Sequence, residues 1–89
     1  MTSVTAEEID ALKAALRQEL STTFRVAVPV SDETALFSGG LIDSLSVMEL
    51  VSFVERKLGR PIEPTDITLD NFDSVARIAQ FARKTAPAG

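Results

Sequence analysis

The 89-residue chain is 45% hydrophobic, enough for one small core in one domain, and it is too short to surround a deep substrate pocket with several catalytic groups. A formal net charge of −4 argues against nucleic acid, whose phosphates demand clustered Lys and Arg, and favours encounters with basic protein surfaces. With no Cys and no His, the chain has no disulfide framework, no Cys/His zinc site, no histidine triad and no cysteine nucleophile.

Thr5-Ala6-Glu7-Glu8 reads as a capping box, with Ile9, Leu12, Leu16 and Leu20 following on one helical face. These predict a first helix over about residues 5–22. From Phe24 to Gly40 the helical period is lost, and Pro29, Ser31, Asp32 and Ser38-Gly39-Gly40 break any long element. Val26-Ala27-Val28-Pro29-Val30 could be a strand, but a lone strand has no sheet to join. A long loop pinned by its apolar residues is the expectation, and loops of that length are often functional.

Asp43 is placed to cap a helix from Ser44 to about Leu58, with Gly59 at the left-handed position after it. Thr65 or Asp66 starts a short third helical turn through Asn71, and Asp73 caps a last helix at about 74–84 with Val75, Ile78, Ala79 and Ala82 on one side. Thr85-Ala86-Pro87-Ala88-Gly89 reads as a frayed tail. The fold class expected is all-α, three main helices and one short one, in a single domain over 1–89 with an ordered core at about 5–84. The start of the chain lacks a signal-peptide pattern, and no run reaches the ~18 apolar residues of a membrane span. A soluble cytoplasmic protein is therefore expected.

In the helix that opens at Ser44, Val47, Leu50, Val51, Val54 and Leu58 form one stripe, the core face. Leu45 and Met48 project elsewhere, with Glu49, Ser52 and Arg56. Two apolar side chains beside a charge suggest a partner surface, although scattered exposed apolar residues are also ordinary. Ser44 itself falls off the core stripe in the first turn. A phosphate ester there would lie near free backbone N–H groups at the positive end of the helix dipole. On local physics alone, a serine that merely assists the cap is the commoner reading.

The run Gly40-Leu41-Ile42-Asp43-Ser44-Leu45, followed by Glu49-Leu50, resembles the phosphopantetheine attachment site of acyl and peptidyl carrier proteins. The resemblance extends to the capped first helix, Leu36-Phe37 ahead of the glycines, Leu58-Gly59, Pro61-Ile62 and Asn71-Phe72-Asp73-Ser74-Val75, covering about Thr5 to Ala82. It implies a four-helix bundle that is not an enzyme. Ser44 would carry a 4′-phosphopantetheine arm taken from coenzyme A, and Asp43 would cap the helix and present the serine. Leu45, Met48, Glu49, Glu55 and Arg56 would face partner enzymes, and Ile62 would line a groove near the third helix. The implied partners are a phosphopantetheinyl transferase, a loading adenylate-forming ligase or acyltransferase, and downstream condensing, modifying or transfer enzymes, acting on a monomer.

The chain departs from the fatty-acid-synthesis pattern in its second helix, where Arg56 and Lys57 follow Glu55 and Ser46 stands in place of an acid. The mixed charge weakens the case for fatty-acid-synthesis partners, and the pattern Ser38-Gly39-Gly40-Leu41-Ile42-Asp43-Ser44-Leu45 resembles more closely the small stand-alone carriers of polyketide, nonribosomal peptide or aminoacyl and D-alanyl transfer pathways. Two other readings fit the same residues: a general fatty-acid carrier and a helical adaptor without the arm. Asp66, Asp70 and Asp73 could suggest a cation site, but they lack the glycine and terminal glutamate of an EF-hand loop and fit polar helix ends better.

Overall fold

In the computed structural model, which describes residues 5–84, the capping box at the start is formed in both directions. Thr5 Oγ1 accepts the Glu8 N–H at 3.1 Å, and Glu8 Oε1 accepts the Thr5 N–H at 2.9 Å. These bonds satisfy two of the amides that a helix start leaves unpaired. Helix α1 follows over Ala6–Thr22 and buries Ile9, Leu12, Leu16 and Leu20, the face set by the sequence period. Its end closes through Arg25, a non-glycine residue at φ +56, with the Val26 N–H returning to the Leu20 carbonyl at 2.9 Å.

The 23–43 connection has no strand. Its backbone finds partners in other elements instead. Asp32 sits between Lys13 Nζ, at 2.9 Å, and the Arg17 guanidinium, while its carbonyl accepts the Ala76 N–H at 2.9 Å. Val26 and Leu36 are buried; Val30 and Phe37 pack against the core from its edge.

The second helix begins later than the sequence suggests. Ser44–Ser46 is a 3₁₀ turn, and regular α-helix α2 runs over Val47–Leu58. It ends at Gly59, at φ +74, as expected. The short third element is also split. A 3₁₀ turn spans Pro64–Asp66, Thr68 is extended, and α3 covers only Leu69–Phe72. Helix α4 is Val75–Lys84 and buries Val75, Ile78, Ala79, Phe81 and Ala82. The tail expected to fray, 85–89, lies outside the described residues.

The four helices enclose one core in which Leu16, Leu20, Leu36, Leu50, Val54 and Ile78 are fully buried. Phe72 and Phe81 meet with ring centroids 5.5 Å apart and planes tilted by 48°, so α3 is fixed to α4 by an aromatic contact. Among the described residues, no helix is long and apolar enough to cross a membrane.

Candidate functional site

The turn that leads into Ser44 is built from glycines and from returned hydrogen bonds. A Cβ at Gly39 would collide with the Ala35 carbonyl oxygen, and Gly40 sits at φ +78, where a side chain is strained. The Leu36 carbonyl then accepts both the Leu41 N–H at 3.0 Å and the Ile42 N–H at 2.9 Å. Leu36 and Ile42 are buried, so the turn is anchored apolar side down. Directly beyond Ile42, the chain emerges as Asp43, Ser44 and Leu45, all exposed.

Asp43 supplies the cap. Its Oδ1 accepts the Leu45 N–H at 3.1 Å and its carbonyl accepts the Ser46 N–H at 2.8 Å. Ser44 contributes only its carbonyl, to the Val47 N–H. The Ser44 hydroxyl takes no part in the cap. This corrects one expectation: the amides of Leu45, Ser46 and Val47 already have acceptors, so these three offer a phosphate no free N–H. The cause is the tight 3₁₀ turn, whose short bonds use donors that a plain α-helix start leaves open. What remains is an exposed hydroxyl ahead of the positive end of α2. An ester at that oxygen displaces no core side chain, so the site fits a bulky attached group.

Of the residues expected to meet partners, Leu45 is 87% exposed and Met48 56% exposed. Glu49 and Ser52 are exposed beside them. Together with Glu19 of α1 and Thr23 just beyond its end, Met48, Glu49, Ser52 and Arg56 line a shallow groove between the two helices. Arg56 has a second contact, its guanidinium lying 6.0 Å from the centroid of Phe53, with Lys57 Nζ at 5.5 Å from the same ring. Glu55, half-buried, accepts the Ile62 N–H on Oε2 at 2.7 Å, so it ties the segment after α2 to the helix. Ile62 is buried, at the base of a shallow depression shared with Leu58, Pro61 and Phe81.

Asp73 does not cap α4. Ser74, itself buried, does so by accepting the Arg77 N–H on Oγ at 3.1 Å. The Asp73 carboxylate turns instead to the turn before Ser44, accepting the Phe37 N–H at 2.7 Å, the Ser38 N–H at 3.0 Å and the Ser38 hydroxyl at 2.5 Å. Desolvation opposes its ionisation, but the Ser38 hydroxyl, the Ser38 and Phe37 amides and nearby Arg77 outweigh that and hold its pKa below the ordinary aspartate value. Asp32 is lowered as well, first by its hydrogen bond from Lys13, which with the charges of Lys13 and Arg17 and the Arg17 hydrogen bond outweighs desolvation. Asp70 is exposed and lies 3.9 Å from Arg77. Sequence reasoning missed Asp73's role and that of Phe53. Only the placement of Phe53 beside a basic pair three and four residues on could have signalled a covered ring.

A small helical bundle presents one exposed serine at a helix start, next to the exposed, apolar Leu45 and Met48. Residues 11–82 match the family model described as the phosphopantetheine attachment site, and the chain belongs to that family. Members carry a 4′-phosphopantetheine prosthetic group and serve as carriers that work with transferases and biosynthetic enzymes. The chain is similar to the lincomycin biosynthesis protein LmbN of Streptomyces lincolnensis, at 39% identity over 67 residues, covering 68% of this chain and 24% of that protein. The chain therefore spans about a quarter of the length of that relative. No solved structure matches.

Proposed function

We propose that Ser44 is the attachment residue and that this domain holds acyl or aminoacyl cargo as a thioester on the arm, within a dedicated biosynthetic pathway. The observation that carries the reading is the exposed Ser44 hydroxyl, left out of the helix cap by Asp43, inside a chain matched by the attachment-site family over residues 11–82. In the attachment step the Ser44 oxygen forms a phosphodiester with the pantetheine-bearing phosphorus of coenzyme A. The pyrophosphate bond breaks, adenosine 3′,5′-bisphosphate leaves, and the hydroxyl proton passes to a base on the transferase. When bound, the arm supplies the thiol that the Cys-free chain lacks. The chain's own part is to hold Ser44 outward and to be recognised.

Leu45, Met48, Glu49 and Arg56 form the proposed recognition face. The dedicated pathway is supported by the likeness to a protein named for lincomycin biosynthesis and by the mixed charge of α2. Mass spectrometry after incubation with coenzyme A and a broad-specificity phosphopantetheinyl transferase should show one added arm on the wild-type chain and none on Ser44→Ala. An unchanged wild-type mass, with the transferase active on a control carrier, would overturn the assignment. Efficient loading by fatty-acid-synthesis enzymes and by no adenylate-forming ligase would favour the general carrier over the dedicated one.

A further inference from the structure

We propose that Asp73 is a positioning residue for modification of Ser44, acting through the turn at 36–42; this rests on Ser44 being the attachment residue. The 23–43 connection has no regular structure, so its buried amides must find partners elsewhere. At 36–38 three successive amides converge on one residue. The Leu36 N–H donates to the Asp73 carbonyl at 2.7 Å, and the Phe37 and Ser38 N–H groups donate to Asp73 Oδ1 at 2.7 and 3.0 Å. The Ser38 hydroxyl takes the other carboxylate oxygen at 2.5 Å. All the acceptors of Asp73 named here thus serve one short stretch of loop, and α4 is capped by Ser74 instead.

That stretch leads directly to the serine. Leu36 is held at its N–H by the Asp73 main-chain carbonyl, the Asp73 carboxylate fixes the next two residues, and the Leu36 carbonyl in turn holds the amides of Leu41 and Ile42. One residue, Asp43, separates Ile42 from Ser44. A continuous path of hydrogen bonds and buried side chains therefore runs from the start of α4 to the modified position. Bonds to an ionised carboxylate are the stronger class, and Asp73 is held ionised by these same donors. Gly39 and Gly40 make the bracing necessary, since the conformations they permit would otherwise leave the turn several alternatives. A serine on an unbraced turn is competent for only part of the time, and apparent affinity falls by that fraction.

The test measures arm transfer from coenzyme A by the transferase, with the full chain as the varied substrate, at a temperature where every variant keeps its helical circular dichroism. Asp73→Ala should raise the KM for the chain about tenfold with kcat little changed, as a tenfold loss of competent population requires. Asp73→Asn, which keeps an acceptor for both amides, should recover most of the loss. Hydrogen exchange at the Leu41 and Ile42 amides should quicken in Asp73→Ala. Asp32→Ala, which breaks the ion pairs with Lys13 and Arg17 elsewhere in the same connection, should lower stability without moving KM. A wild-type KM for folded Asp73→Ala, an equal rise in Asp32→Ala, or no recovery with Asp73→Asn would each overturn the proposal. Should Asp73→Ala not fold, Ser38→Ala carries the test: removing one hydrogen bond at an exposed site should raise KM about threefold, and an unchanged KM would again overturn it. A wild-type chain that gains no arm would instead sink the assignment of Ser44, so the two failures are distinguishable.

Discussion

Asp43-Ser44-Leu45 and Asp73-Ser74-Val75 present the same local pattern, an acid and a serine ahead of an apolar residue at a helix start, and they divide the labour in opposite ways. In the first, the aspartate caps and the serine is left over; in the second, the serine caps and the aspartate reaches across to Phe37 and Ser38. Each residue type can accept an N–H, so local sequence leaves the assignment open. Burial decides it: Ser74 is enclosed and Ser44 is exposed. Removing the buried cap with Ser74→Ala should cost ~1 kcal/mol in urea unfolding. Asp73 and Asp32 give a pH signature of definite sign. Their folded pKa values lie below the unfolded value, so the folded state binds fewer protons than the unfolded one. Their contribution to stability is complete above the unfolded aspartate pKa of about 3.9 and is lost as pH falls through the lowered folded values. Urea midpoints should drop on acidification below about pH 4, and Asp73→Asn should flatten that dependence. A wild-type slope in Asp73→Asn would assign the acid sensitivity to other carboxylates.

At the scale of the element, α2 shows where periodicity suffices and where it stops. Leu50, Val51 and Val54 are buried as their spacing predicts, and Leu45 and Met48 stay out as expected. Phe53 breaks the pattern. It stands four residues after exposed Glu49, yet it is only 6% exposed, because it belongs to the core cluster and the Arg56 and Lys57 side chains lie over its ring. A helical wheel has no account of long cationic stems folding back over an aromatic ring. Phe53→Ala should therefore cost ~3 kcal/mol or more, enough to unfold much of so small a domain, whereas Lys57→Ala should cost under about 1 kcal/mol; urea denaturation distinguishes the two. Leu45→Ala should behave as a surface change, within about 0.5 kcal/mol of wild type, while slowing loading of cargo onto the arm. A loading rate equal to wild type for both Leu45→Ala and Glu49→Ala would move the recognition face elsewhere.

For the molecule as a whole, helix count, core and order of elements were legible because each follows from local spacing and caps. The path of the 23–43 connection was not. Its fixings join residues far apart in sequence, Asp32 to Lys13, Arg17 and Ala76, and residues 36–38 to Asp73, and none of these leaves a periodic trace. The start of α2 was misplaced for a related reason, since a 3₁₀ turn and an α turn share the same capping residues. Charge is a whole-molecule property with its own consequence. The net charge is −4, yet the α2 face sets Glu49 against Arg56 and Lys57. Salt should therefore change kcat/KM for arm transfer only a few-fold between low and ~0.5 M ionic strength. A loss of a hundredfold or more would show that a broader acidic surface steers the encounter.

The bonds from Phe37 and Ser38 to Asp73 close a ring of chain that contains the serine turn, α2 and α3. Closure of that ring joins residues 36 apart in sequence, so it waits for the entry to α4 to be in place. The serine turn, although it stands near the middle of the chain, is thus fully braced only once residues 37 and 73 have met. On the proposed assignment of Ser44, attachment of the arm would then act as a check on completed folding: a chain that has made its helices but not joined residue 37 to residue 73 would offer the transferase a serine it seldom finds in place.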